Sequence, residues 1–94
     1  MAVVVKVVNG KIQEYENGHC RRIYGSNIVA ADTDGHIVAA VTAKGKAEEF
    51  ENGRYEKTYC GNAVNVQVSG TIVAVTTSKG KVEEYENGHC RRIY

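Results

Sequence analysis

His-Cys-Arg-Arg occurs twice, at 19–22 and at 89–92. A histidine beside a thiol and two guanidiniums is a set that nucleophilic or anion-binding chemistry uses. Successive residues of a strand point to opposite faces. On a strand, therefore, His19 cannot act on Cys20, nor His89 on Cys90, as a Cys–His catalytic pair. Cys20 and Cys90 then read as small hydrophobes packed against Tyr15 and Tyr85. What remains is basic: His19, Arg21, Arg22, His89, Arg91 and Arg92. Facing glutamates neutralise most of it in the register worked out below. Arg22 faces Gln13 with no carboxylate opposite. Arg22, His19, Arg92 and the neighbouring Tyr24 are accordingly the candidate ligand-binding residues.

The other chemistry-bearing residues read more simply. The six tyrosines stand mostly near run ends, where packing with a wet hydroxyl competes with stacking on a sugar or base. Asp32 and Asp34 flank a turn ending in Gly35, a common structural position for Asp. No Ser-His-Asp set, phosphate-cradling loop or carboxylate dyad occurs, so we expect no catalytic residue and no cofactor. Cys20, Cys60 and Cys90 are odd in number and lack a C-x-x-C spacing. That argues against a disulfide framework or a metal site, and for free thiols in a reducing cytoplasm.

These residues sit in a repeat. Lys11–Tyr24 (KIQEYENGHCRRIY), Lys46–Tyr59 (KAEEFENGRYEKTY) and Lys81–Tyr94 (KVEEYENGHCRRIY) recur at an offset of 35, and residues 14–24 equal 84–94 at all eleven positions. Upstream, Val3-Val4-Val5 matches Val38-Ala39-Ala40 and Val73-Ala74-Val75. The 94 residues hold about 2.7 copies of the 35-residue period (94/35), in units of roughly 1–35, 36–70 and 71–94 of one domain. Glycines divide each unit into four runs rich in Val, Ile, Thr and Tyr, none of helical length. In the last unit they are Asn62–Val68, Thr71–Thr77, Lys81–Glu86 and His89–Tyr94. The spacing predicts an all-β domain of about eleven short antiparallel strands and no helix.

Asn-Gly at 17–18, 52–53 and 87–88 is a strong hairpin signal, because a type I′ turn needs positive φ at both central residues. A two-residue loop there puts Tyr15 opposite Cys20, Glu14 opposite Arg21, Ile12 opposite Ile23, Glu83 opposite Arg92 and Glu84 opposite Arg91. In the middle copy it puts Phe50 opposite Tyr55, and two like charges, Glu49 and Glu56, opposite each other. The second run (Ile37–Val41, Ile72–Val75) is apolar on both faces, as in a strand covered on both sides. The fourth is the most polar and suits an exposed edge.

The stretch Thr71–Tyr94, TIVAVTTSKGKVEEYENGHCRRIY, resembles a blade of the WD40-type and quinoprotein-type propellers. It runs from an apolar strand through a turn ending in Gly to a strand ending in an aromatic, a second Gly turn and an outer strand. The Trp-Asp and Gly-His pairs of the first family and the outer-strand Trp of the second are absent, so no cofactor residue carries over. A second resemblance is to the monocot mannose-binding lectins, which build a β-prism from three four-stranded units. Gln67 and Val73 in one copy, and Asp34 and Val38 in the other, match their Gln-x-Asp-x-Asn-x-Val-x-Tyr motif; the sugar-holding Asn and Tyr are missing. A β-trefoil or a meander barrel also satisfies the repeat.

The resemblance and composition together point to a non-catalytic binding or scaffolding module of unidentified ligand, with a small lectin-like carbohydrate binder as the alternative. Net charge is +1, from 12 basic and 11 acidic residues. That balance gives no pull toward nucleic acid or an anionic membrane. No stretch approaches the roughly 18 apolar residues of a membrane helix, and the N-terminus shows no signal-peptide pattern. A chain of this length buries roughly 60–65% of its unfolded surface, and repeat units need neighbours to cover their faces. Counted from the second run, three blades do not close a ring, whereas two chains supply six. Self-association, as a homodimer, is the expected assembly; a three-sided prism would let a monomer suffice.

Overall fold

The computed structural model describes residues 3–59 and 61–94, so Cys60 lies outside the described residues. The described chain is all-β, with eleven strands and no helix: β1 (Val3–Val8), β2 (Lys11–Glu16), β3 (His19–Tyr24), β4 (Ile28–Thr33), β5 (Ile37–Thr42), β6 (Ala47–Glu51), β7 (Arg54–Thr58), β8 (Ala63–Ser69), β9 (Ile72–Thr77), β10 (Val82–Glu86) and β11 (His89–Ile93). They form three antiparallel meanders, with strand orders β1-β2-β3, β4-β5-β6-β7 and β8-β9-β10-β11. The sheet boundaries each follow a fourth run, the first at residues 25–27 after β3 and the second between β7 and β8. The three-stranded sheet is therefore the first, and the last sheet has all four strands.

The turns follow from their sequences. Asn17-Gly18, Asn52-Gly53 and Asn87-Gly88 all have positive φ at both residues (53° and 82° at the first), the geometry that an L-residue other than Asn or Gly adopts at a cost. Asn9-Gly10 does the same between β1 and β2. That hairpin is shorter than its counterparts at 43–46 and 78–81. Val4 consequently faces Tyr15 as Val38 faces Phe50 and Val73 faces Tyr85. In space, Val3-Val4-Val5 thus corresponds to residues 37–39 and 72–74. The match to Val38-Ala39-Ala40 drawn from the constant offset is one residue out in β1.

The hairpins of the third and fourth runs each carry a bulge. Tyr15 pairs with Cys20 and Glu16 with His19 as expected, but Glu14 then pairs with Arg22, Gln13 with Ile23 and Ile12 with Tyr24. Arg21 is the extra residue. The same shift recurs at Glu49–Lys57 and at Glu84–Arg92. A bulge adds one residue to one strand and changes which side chains face each other beyond it. It removes Glu56 from its place opposite Glu49, so the like-charge pair does not form. Bulges also lie between Ile28 and Ala30 and between Ala63 and Asn65, which turn Val29 and Val64 outward to 58% and 51% exposure.

The sheets stack in chain order, with β4 against β1, and β8 against β4 and β5. We call the face each sheet turns toward the next its forward face, and the opposite one its rear face. One apolar cluster joins Ile12, Val5, Val7 and Tyr24 of the first forward face to Ile28, Val38, Ala40 and Phe50 of the second sheet. The other joins Ala39, Val41, Ala47 and Tyr59 to Ala63, Val66, Val68, Val73, Val75 and Tyr85. The middle sheet is buried on both faces, as the doubly apolar β5 requires. Each link from an outer strand crosses the sheet to an inner one. It is tied by Ile28 N to Gly10 O (2.9 Å) and by Ala63 N to Gly45 O (2.8 Å).

Candidate functional site

The candidate basic residues lie on the outer strands, and the bulge decides their partners. Arg22 does have a carboxylate opposite: its Nη1 donates to Glu14 Oε2 at 2.7 Å. The expectation that it faced only Gln13 fails because the bulge at Arg21 advances it by one position. Arg21 reaches Glu16 at 3.1 Å and Glu14 at 3.7 Å. Arg92 Nε stands 3.5 Å from Glu84 Oε1, and Arg91 pairs with Glu86. Tyr24 donates its hydroxyl to Glu14 Oε1 at 2.9 Å. Its ring lies 5.1 Å from that of Phe50. Thus Arg22 and Tyr24 converge on Glu14, Arg92 occupies the equivalent place in the third sheet, and His19 stands apart, exposed beside its turn.

The residue that organises the group is the glutamate, which composition and motif spacing did not single out. Glu14, Glu49 and Glu84 each accept a hydrogen bond from the tyrosine ten positions on: Tyr24, Tyr59 and Tyr94. Each also faces a basic residue: Arg22, Lys57 and Arg92. The signal was present in the repeat as Glu followed by Tyr at one fixed spacing in all three copies. Glu14 and Glu49 are almost covered, 4% and 7% exposed. A buried carboxylate must be hydrogen-bonded or charge-paired, because unpaired burial of charge costs several kcal/mol. The tyrosine hydroxyl meets that need at both glutamates, Arg22 is a second partner at Glu14, and the tyrosine ring then covers the next sheet. Burial, followed by the bond to and the charge of the glutamate, pushes the phenols of Tyr24 and Tyr59 well above the ordinary tyrosine range. At Tyr94 the bond to Glu84 leads, and the shift is in the same direction.

The first two rungs each join two sheets. Tyr24 packs on Phe50, and Tyr59 on Tyr85 with ring centroids 4.4 Å apart. The basic member crosses the Asn-Gly turn of the following sheet. A Cβ added at Gly53 would meet Arg22 Cδ at 2.6 Å, and one at Gly88 would meet Lys57 Nζ at 3.3 Å. Between the second and third sheets two aspartates add their own clamps. Asp32 Oδ2 accepts from Val68 N (2.8 Å) and Asp34 Oδ2 from Gly70 N (2.7 Å).

Cys20 and Cys90 are free and exposed rather than packed in the core. They lie on the rear faces of the outermost strands, opposite Tyr15 and Tyr85, where the sheet is not covered. Among the described residues no group of three His, Cys, Asp or Glu side chains could hold a metal ion, and no pocket opens. No helix of the described residues is long and apolar enough to cross a membrane.

No curated protein matches the chain. One family model does, the Helicobacter pylori IceA2 protein, and it aligns twice, over residues 1–50 and 45–94. The double match reports the internal repeat independently of the offset, and because the two alignments together span the whole chain, this protein belongs to the IceA2 family.

Proposed function

We propose that the chain is a non-catalytic binding or scaffolding module whose sheets are of propeller-blade type. The observation that carries this reading is the recurrence of the glutamate–tyrosine–cation rung in all three sheets. In each the tyrosine hydroxyl is engaged with the glutamate, Arg22 and Arg92 are paired with theirs, and at the two internal junctions the rings hold sheet on sheet. One three-stranded and two four-stranded meanders in face-to-face succession, with apolar inner strands and polar outer ones, agree with the blade pattern.

Titration followed by nuclear magnetic resonance tests the reading, with inorganic phosphate and a panel of simple sugars as probes. A scaffolding rung predicts no saturable shift at His19, Arg22, Tyr24 or Arg92. It also predicts that Arg22→Gln lowers the urea midpoint, because Glu14 then keeps a buried charge with one partner fewer. Saturable phosphate shifts at those four residues would make the outer strands an anion site. Sugar-dependent shifts confined to Gln67–Val73 would favour the lectin alternative.

A further inference from the structure

Both internal junctions are built from the same parts, and both ends of the stack carry one half of those parts uncovered. At the forward end, Tyr94 holds the position of Tyr24 and Tyr59 but is 60% exposed. Arg92 holds the position of Arg22 and Lys57, with its side chain 63% exposed against 30% for Arg22. Ala74, Thr76 and Val82 take the places of Ala39, Val41 and Ala47, and they are only half-buried where those three are covered. At the rear end, Tyr15 holds the position of Phe50 and Tyr85, the rings on which the tyrosines of the preceding sheets sit. Val4, the counterpart of buried Val38 and Val73, is 61% exposed. The Gly18 turn, counterpart of the turns crossed by Arg22 and Lys57, has nothing within 4 Å of an added Cβ.

The two ends are also matched where they differ from the interior. The aspartates that clamp the inner strand of the next sheet, Asp32 and Asp34, are replaced by Gln67 and Ser69 in the third sheet. The first sheet, which a third junction would place next, presents three strands, with β1 where an interior sheet has its second strand. The rear face carries the cation Lys6, held 5.3 Å from the Tyr15 ring centroid, and the forward face carries the ion pair of Glu84 with Arg92.

We propose that the forward face of the third sheet docks on the rear face of the first sheet of a second copy of this chain, head to tail. Tyr94 then seats on Tyr15 of the second copy, and Arg92 crosses the Asn17-Gly18 turn of that copy. The junction repeats the two already inside the chain, so the ligand of each free face is the other free face. The proposal rests on the scaffolding reading above but is tested separately. A phosphate or sugar titration can overturn that reading while leaving self-association intact, and a monomer overturns this proposal without touching the rung.

Sedimentation equilibrium of the full chain, from about 1 to 100 µM, spans the affinities of weak and moderate interfaces. Tyr94→Asp blocks only the forward face and Tyr15→Asp only the rear face. Each variant alone is expected to associate at least about tenfold more weakly than the parent, the usual consequence of losing a central aromatic. An equimolar mixture is expected to recover a two-chain complex, because each variant keeps the face the other needs. A parent that stays monomeric throughout overturns the proposal. So does a single variant that associates like the parent, which would show pairing through some other surface, and so does a mixture that fails to associate. If Tyr15→Asp loses its strand circular dichroism, Val4→Asp on the same face replaces it, and the same outcomes apply.

Discussion

Replacing Tyr59 with Phe keeps the ring against Tyr85 and deletes only the hydroxyl that Glu49 accepts from. Glu49 is 7% exposed, so water cannot readily take the vacated place. A hydrogen bond to a charged group contributes about 1.5–3 kcal/mol. Tyr59 itself is only half-buried, which argues for the lower part of that range, about 1.5–2 kcal/mol. For a domain of this size that lowers Tm by about 10 °C. Tyr24→Phe costs less, about 1 kcal/mol, because Glu14 retains Arg22 at 2.7 Å. In Tyr94→Phe the tyrosine is 60% exposed, so water replaces the hydroxyl and the cost stays under about 0.5 kcal/mol. The assay is urea denaturation followed by circular dichroism at about 1 µM, where self-association contributes least. The expected order of loss is Tyr59→Phe, Tyr24→Phe, Tyr94→Phe. Equal losses at Tyr59 and Tyr94, or no loss at Tyr59, would refute the argument that burial and the partners left to the glutamate set the worth of each rung.

Asp32→Ala removes the acceptor for Val68 N and is expected to cost about 1.5 kcal/mol of unfolding free energy in urea denaturation, whereas Asp34→Ala, at an exposed bond, costs about a third of that. Gly53→Ala pays both for its positive φ of 78° and for displacing the Arg22 side chain, while Gly18→Ala, with open space around it, pays for φ alone; in thermal melts of dilute protein Gly53→Ala should be the less stable of the two, and the reverse order would place Arg22 elsewhere. Tyr24 and Tyr59 hold their protons more tightly folded than unfolded, chiefly through burial and then through their glutamates. Their contribution is therefore complete below the ordinary tyrosine value of about 10 and is lost as pH rises above it. Urea midpoints should fall steeply above about pH 10, and Tyr24→Phe/Tyr59→Phe should flatten the fall; an unchanged alkaline slope in that double variant counts against the linkage. Cys20 and Cys90 are both exposed, so a colorimetric thiol reagent should react at once with at least two thiols of the native protein, and fewer than two would contradict their placement.

Much of the fold was legible because the repeat imposed the same signals three times. The Asn-Gly pairs marked three hairpins, and the doubly apolar run at Ile37–Val41 marked a strand covered on both faces. The polar run at His19–Tyr24 marked an outer edge. The bulge was legible only as a contradiction. An unbroken register set Glu49 against Glu56, and that mismatch was the trace of the extra residue at Arg21, Glu56 and Arg91. Without the bulge Arg22 looked unpartnered, and the candidate site was built on it. Cys20 and Cys90 were expected in the core because they face Tyr15 and Tyr85, which they do. A facing pair says only that two side chains share a side of the sheet, and whether that side is covered depends on how the next sheet stacks. The central role of Glu14, Glu49 and Glu84 was missed for the same reason. A glutamate on a strand rich in Glu and Lys reads as surface until the following sheet is in place.

The stacking itself is tested most directly by ring-to-ring nuclear Overhauser effects, for which Phe50, the sole phenylalanine, is the natural probe. Its ring lies 5.1 Å from that of Tyr24 in the first sheet and 6.1 Å from that of Tyr55 in its own. Tyr59 and Tyr85 lie 4.4 Å apart across the second junction. The account predicts cross-peaks from Phe50 to Tyr24 and from Tyr59 to Tyr85, both lost in urea together with the strand signal. Cross-peaks joining Tyr24 to Tyr85 in place of these, as in a closed barrel or a different order of sheets, would contradict it.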